Sequence, residues 1–172
     1  MTQRPKKPIE EVVEELGRYP LEAFIFIQEC IGVASEQVHG AMTPEESSIA
    51  SWMDRNNVDW ETLCHLSETG SLPPDVADTI RKIGGPERMN RHVTGQQLCR
   101  AVRDIALKRY GLMARSVLGK WNITRTEDIG AIIFALVEND WLKKLPTDKI
   151  EDFENVFLFR DAFELNYQPG AD

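Results

Sequence analysis

The residues between Pro20 and Gly40, LEAFIFIQECIGVASEQVH, constrain the fold more than any other part of the sequence. Proline is preferred at the start of a helix and glycine just after its end, so these two residues predict one long helix between them. Its acidic residues recur every seven positions and form one narrow stripe, made by Glu22, Glu29 and Glu36. Nearly all other positions are apolar, which is typical of a helix in the centre of a domain. We therefore expect a mostly α-helical protein.

Helix signals continue on both sides of this segment. Before it, IEEVVEEL follows Pro8 and predicts a short amphipathic helix, so that residues 1–40 supply N-terminal helices that pack on the main domain. After it, residues 41–90 hold three starts of short helices: Thr43, which opens a capping box, Asp59, and the prolines of SLPP. The glycines of GGPERMN end the third helix. We interpret 41–90 as a helical insertion.

Residues 91–172 are predicted to form the main domain. Thr94 opens a second capping box, and the helix that follows it ends at Gly111. A shorter helix with Met113 turned inward comes next, and a third helix covers about 126–141. The segment LKKLPTDKIEDFENVFLF then resembles two short strands around a polar loop. Three helices with a small C-terminal β-hairpin form a winged-helix-like outline, and an all-α domain is the alternative.

Charge is strongly segregated along the chain, although the net charge is only -8. Residues 1–80 carry -10 and residues 126–172 carry -7, whereas residues 81–125 carry +9. A basic face between 88 and 120 would bind a nucleic-acid backbone without reading its sequence, or it would meet acidic protein surface, including that of a second copy. The cations expected on this face are Arg100, Arg103, Lys108, Arg115 and Lys120.

The third helix argues against recognition of base sequence. A groove-reading helix needs hydrogen-bond donors or cations on its first turns, whereas this one begins with Glu127 and Asp128. Carboxylates there suit the helix dipole and repel phosphate. With Thr124 or Thr126 as its cap, the segment is better explained as a buried junction of the helical core.

A second binding hypothesis concerns small anions. Arg88, Arg91 and His92 come just before the helix that starts at Thr94, and helix N-termini bind anions through their free amides. Gly95 would let a phosphate or carboxylate approach the backbone. The capping box competes for the same amides.

A thiol enzyme is a further alternative. Cys99 has Arg100 beside it and Arg103 one turn on, which would favour the thiolate, and His92 precedes it by seven residues. A small buried thiol explains the same residues without chemistry. No Cys or His spacing matches a zinc site, so we predict no metal and no cofactor.

Three features bear on the compartment. The N-terminus MTQRPKKPIEEVVEEL has no apolar run behind its cations, so it does not resemble a secretory signal. Acidic residues interrupt the longest apolar segments, so we expect no membrane span. The chain has three cysteines, Cys30, Cys64 and Cys99. Their odd number and the lack of a CxxC pair favour reduced thiols in the cytoplasm.

Four segments resemble an uncharacterised bacterial family restricted to Verrucomicrobia and Planctomycetes. They are YPLEAFIFIQE (19–29), RHVTGQQLC (91–99), YGLMARSVLGKWNITRTEDIGAIIF (110–134) and DFENVFLF (152–159). The resemblance covers about two-thirds of the chain, and the third segment is the most specific. It implies a bacterial cytoplasmic protein and leaves the function open.

The residues favour a non-enzymatic interaction or regulatory module, because no acid, base, nucleophile and metal set converges. We expect a protein partner or a homo-oligomer, with nucleic acid or a phosphate ligand as the alternative. The predicted anion- or partner-binding residues are Arg88, Arg91, His92, Thr94, Arg100, Arg103, Lys108, Arg115 and Lys120.

Overall fold

The computed structural model describes residues 5–165, which are mostly helical, as expected. The α-helices in chain order are α1 Ile9–Leu16, α2 Leu21–His39, α3 Pro44–Asn56, α4 Trp60–Glu68, α5 Pro74–Ile83, α6 Gly95–Tyr110, α7 Ala114–Lys120 and α8 Thr126–Glu138. Short 3-10 turns lie at Pro86–Met89, Gly111–Met113 and Ile150–Phe153, and a π-helical turn lies at Asp161–Leu165.

The local signals for helix ends are confirmed. The helix α2 stops at His39, and Gly40 after it has a φ of 80°, which glycine adopts without strain. Both capping boxes form: the hydroxyl of Thr43 accepts from the amide of Glu46 at 3.2 Å, and the hydroxyl of Thr94 accepts from the amide of Gln97 at 3.2 Å. Each box satisfies backbone donors that a helix start leaves unpaired.

The described chain divides into two compact units. Residues 35–92 form the small unit, and residues 5–34 with 93–165 form the large unit. The small unit has its own apolar core, made by Ile49, Leu63, Leu72, Val76, Ile80 and Met89. The domain boundaries that we predicted at 41 and 90 stay a prediction, because a compact unit is defined by contacts and a domain by its ability to fold.

The core of the large unit lies between α2, α6 and α8. The buried side of α2 consists of Ala23, Phe24, Phe26, Ile27, Cys30 and Ala34. On α8, the side chains of Ile129, Ile132 and Leu136 are fully buried in the same cluster. The opposite side of α2 is not buried, because Ile25 is 46% exposed and Val33 is also exposed. The expectation of an apolar helix enclosed on nearly every side was therefore wrong for this face.

The predicted C-terminal β-hairpin is wrong for the described residues, in which no strand occurs. The carboxylate of Asp148 accepts from the amide of Leu145 at 2.7 Å and closes a turn. The carboxylate of Asp152 accepts from the amide of Lys149 at 2.9 Å and closes the helical turn after it. These local bonds satisfy backbone donors that a strand would have paired across a hairpin. The winged-helix outline therefore has no wing in this part of the chain.

Aromatic packing explains the course of the remaining C-terminal residues. Phe157 and Phe159 stack with ring centroids 5.9 Å apart, and Phe163 packs edge-on against Phe159 at 5.0 Å. In a strand, Phe157 and Phe159 would point to one face while their neighbours faced the other way. Here the three rings form one cluster with the help of the π-helical turn.

Two smaller predictions are also corrected. The helix α8 ends at Glu138 instead of Trp141, and Asp140 after it adopts a left-handed φ of 61°. Met113 was expected to point inward but is 61% exposed, because it lies in the 3-10 turn before α7 begins at Ala114. Leu118 in α7 is fully buried instead.

Candidate interaction surface

Several cations of residues 88–120, here called the basic segment, are neutralised by carboxylates of the same chain. The guanidinium of Arg109 in α6 donates to Glu29 of α2 at 2.9 Å and lies 5.5 Å from the centroid of the Phe26 ring. The guanidinium of Arg115 in α7 pairs with Glu164. The charge pattern of the sequence is thus partly a pattern of internal ion pairs, which hold α2 and the C-terminal turn against the basic helices.

Arg103 also has structural contacts. Its Nε donates to Asp104 at 2.8 Å, and its guanidinium lies 5.7 Å from the centroid of the Phe157 ring. A cation over an aromatic face is attracted by the negative charge of the ring face. Arg103 therefore attaches the C-terminal aromatic cluster to α6, and only part of its charge is available to a partner.

Three predicted cations are exposed and form no ion pair with other described residues: Arg100, Lys108 and Lys120. Arg100 and Lys108 lie two turns apart on the solvent side of α6, and Lys120 ends α7. Between these helices Leu112 and Met113 expose 68% and 61% of their surface. We call these five residues the basic surface.

An aromatic cluster under this part of the large unit fixes its geometry. Phe26 of α2 lies 6.2 Å from Tyr110 at the end of α6 and 5.4 Å from Trp121 after α7, between ring centroids. Tyr110 and Trp121 pack edge-on at 6.3 Å. Because Trp121 directly follows Lys120, the ends of α6 and α7 converge at Phe26 in the N-terminal half of α2.

The predicted anion cradle at the start of α6 is filled by the protein itself. The capping box uses the amides at Thr94 and Gln97. A Cβ atom built on Gly95 would lie 3.0 Å from Asp152 and 3.0 Å from the Phe153 ring. Gly95 therefore admits the close packing of the Ile150–Phe153 turn, and no space is left there for a phosphate.

The other residues proposed for that cradle belong to the small unit, whereas Thr94 belongs to the large unit. Arg88 donates to Glu46 at 3.1 Å, and Arg91 donates to the carbonyl of Gly40 at 2.5 Å. The carbonyl of His92 lies 2.7 Å from Nε2 of His39. These contacts tie the residues that leave the small unit to the end of α2 and to α3.

Glu46 is a buried carboxylate that sequence reasoning treated only as part of a capping box. It is 2% exposed and accepts from the Thr43 amide at 2.9 Å. This backbone bond, helped by Arg88 and opposed by burial, holds the pKa of Glu46 below its ordinary value. A groove of about 370 Å³ beside it is lined by Thr43, Glu45, Glu46, Lys82, Ile83 and Arg88. Because two acids balance two cations there, the groove has no net charge that would attract an anion.

The thiol of Cys99 is enclosed in the core. Burial, followed by the nearby charge of Glu127, raises the pKa of Cys99 to about 12, and Arg100 only partly opposes this. The shift is opposite to the one that the flanking arginines led us to expect. A protonated, buried thiol is a poor nucleophile, so the geometry gives no support to the thiol-enzyme alternative.

Asp128, expected on the exposed first turn of α8, is instead 1% exposed at the centre of a hydrogen-bond network. Its carboxylate accepts from the Tyr19 hydroxyl at 2.6 Å and from the amides of Thr124 and Arg125 at 2.9 and 3.2 Å. Arg18 lies 3.1 Å away from the same carboxylate. The junction interpretation of the segment predicted a buried helix, but the cap is Asp128 and not a threonine hydroxyl.

No protein-family model, curated protein or solved structure matches this chain. The resemblance to a family of Verrucomicrobia and Planctomycetes therefore stays a prediction. None of the helices within residues 5–165 has both the length and the apolar character that a membrane-spanning helix needs. Among the described side chains, no three His, Cys, Asp or Glu residues converge to hold a metal ion.

Proposed function

We propose that this chain is a non-enzymatic, cytoplasmic interaction module whose basic surface contacts acidic protein surface. The observation that carries the proposal is the contrast among the cations of the basic segment. Arg109 and Arg115 are paired within the chain, whereas Arg100, Lys108 and Lys120 form no ion pair with the described residues. The exposed positive charge is therefore concentrated at a few positions.

The apolar side chains within the basic surface favour a protein partner over a nucleic acid. Leu112 and Met113 are exposed beside the cations, and burial of such side chains stabilises protein interfaces, in which methionine is enriched. A non-specific nucleic-acid surface instead needs many phosphate contacts, usually with aromatic side chains that stack on bases. The basic surface has three cations, and the rings beside it, Tyr110 and Trp121, are only partly exposed because they pack on Phe26.

The cytoplasmic part of the proposal rests on the cysteines. Cys30, Cys64 and Cys99 are free thiols, and disulfides are rare in reducing compartments. A bacterial source belongs to the same proposal through the resemblance of the four sequence segments.

The test compares two labelled probes at about 50 mM salt, where surface charges act over longer distances than in the cell. One probe is a synthetic helical peptide with glutamates and leucines on one face, and the other is a mixture of single- and double-stranded DNA and RNA. We expect the protein to bind the peptide, to leave the nucleic acids unretarded in a gel, and to lose peptide binding in Arg100→Glu/Lys108→Glu. Retardation of nucleic acid that this variant abolishes, or no peptide binding at a protein concentration low enough for the chain to be monomeric, would overturn the proposal.

A further inference from the structure

The exposed side of α2 in the large unit combines acidic and apolar residues. Glu22, Ile25, Glu29 and Val33 are all exposed. They are spaced three or four residues apart, so they lie along one side of the helix. The same side contains Gly32, at which an added Cβ atom would meet nothing within 4 Å. We call these five residues the acidic stripe; Glu36, which belongs to the small unit, is not part of it.

The acidic stripe and the basic surface adjoin each other on the large unit. The ion pair between Glu29 and Arg109 joins the stripe to the last turn of α6, one residue beyond Lys108. The ring of Phe26, which follows Ile25, contacts Tyr110 and Trp121 at the ends of α6 and α7. The middle of the stripe thus lies beside a surface that has opposite charge and similar apolar content.

We propose that the partner of the basic surface is a second copy of this chain, bound so that the acidic stripe of each copy meets the basic surface of the other. This inference rests on the proposed function and names its partner. In a two-fold symmetric dimer each contact between the two patches occurs twice. The acidic stripe and the basic surface are adjacent on one chain, which matches this arrangement. When a second copy is rotated by 180° about an axis between the two patches, its basic surface faces the acidic stripe of the first copy and its acidic stripe faces the basic surface.

The chemistry of the patches is complementary in two respects. Glu22, which forms no ion pair with the described residues, opposes the cations Arg100, Lys108 and Lys120. The exposed Ile25 and Val33 opposite Leu112 and Met113 would remove apolar surface from water in both halves of the interface. Charge complementarity sets the register of the two copies, and apolar burial supplies the stabilisation.

The test is a charge exchange followed by light scattering over a range of protein concentrations up to about 100 µM. We expect a dimer for the unmodified chain and a dissociation constant raised at least about tenfold in Glu22→Lys and in Lys108→Glu, since like charges then face each other. The double variant Glu22→Lys/Lys108→Glu restores opposite charges and should recover most of the loss. Glu154→Lys, an equal charge change at an exposed acid outside the stripe, should leave the dimer unchanged.

The outcomes separate this inference from the proposed function. A chain that stays monomeric, or a dimer that Lys108→Glu leaves intact, overturns the inference. If the monomeric chain still binds the acidic peptide through its basic surface, the proposed function stands without it. If the chain neither dimerises nor binds the peptide, both fail. Circular dichroism confirms that each variant is folded, which all of these exposed substitutions should permit.

Discussion

Removal of the Asp128 carboxylate should be among the most destabilising single changes in the large unit. In Asp128→Ala the Tyr19 hydroxyl and the amides of Thr124 and Arg125 all lose their acceptor. A buried donor that is left without its acceptor costs about 1–3 kcal/mol, and here three donors lose the same carboxylate. The lost ion pair with Arg18 adds little, because the Arg18 side chain is 54% exposed and water can replace the carboxylate around its guanidinium. We therefore expect the free energy of unfolding to fall by about 3–5 kcal/mol, dominated by the desolvated donors that are left unpaired.

Urea denaturation followed by far-ultraviolet circular dichroism measures this loss, and Tyr19→Phe supplies a matched control. Burial, helped by the bond to Asp128, holds the pKa of Tyr19 above its ordinary value, so the hydroxyl stays protonated and donates. Removing that hydroxyl deletes one hydrogen bond and should cost only about 1 kcal/mol. In Asp128→Ala the change Tyr19→Phe should cost less, since the hydroxyl has no acceptor there. A loss below about 1 kcal/mol in Asp128→Ala would refute the network as the determinant of this junction.

Further predictions concern packing, pH and thiol reactivity. In Gly130→Ala the new methyl would lie 2.8 Å from Cβ of Phe153, so we expect overpacking to lower the free energy of unfolding by about 1–3 kcal/mol in urea denaturation. Unchanged stability would contradict the close packing of Phe153 on Gly130. Because the pKa of Glu46 is lower in the folded protein, its ionised form stabilises the fold above about pH 4.5, and this contribution is lost as the pH falls through the folded-state pKa. Glu46→Gln should therefore weaken the decline of stability with acidification, and an identical pH profile would refute this role. Iodoacetamide at pH 7 should modify the partly exposed Cys64 before the buried Cys99, as mass spectrometry of labelled peptides can show; faster labelling of Cys99 would revive the thiol-enzyme alternative.

Signals that act over a few residues could be read from the sequence. The threonines at 43 and 94 each lie three residues before a side chain that completes a capping box, and both boxes form. Gly40 and Gly111 end their helices because both adopt positive φ values. The exposure of Arg100 and Lys108 follows from helical spacing alone. The positions of the helices and the candidate cations could therefore be predicted from the sequence.

Features that depend on contacts between residues far apart in the chain could not be predicted from the sequence. The partners of Asp128 and Arg109 lie 109 and 80 residues away, at Tyr19 and Glu29. No periodicity distinguishes a carboxylate that caps a buried helix from one that faces solvent. The C-terminal segment looked like two strands because the apolar run VFLF (156–159) follows a polar loop, yet its rings cluster and local carboxylates close turns before it.

The most direct test of the account is a titration of the labelled acidic peptide into two charge-reversal variants, read by fluorescence anisotropy. Arg100→Glu/Lys108→Glu changes the basic surface, whereas Lys149→Glu/Arg160→Glu makes the same net change at exposed cations outside it. If the basic surface is the binding site, the first variant should bind the peptide at least about tenfold more weakly, while the second stays within about twofold of the unmodified protein. Equal weakening in both variants would show that overall charge attracts the peptide, and it would contradict the basic surface as the site of interaction.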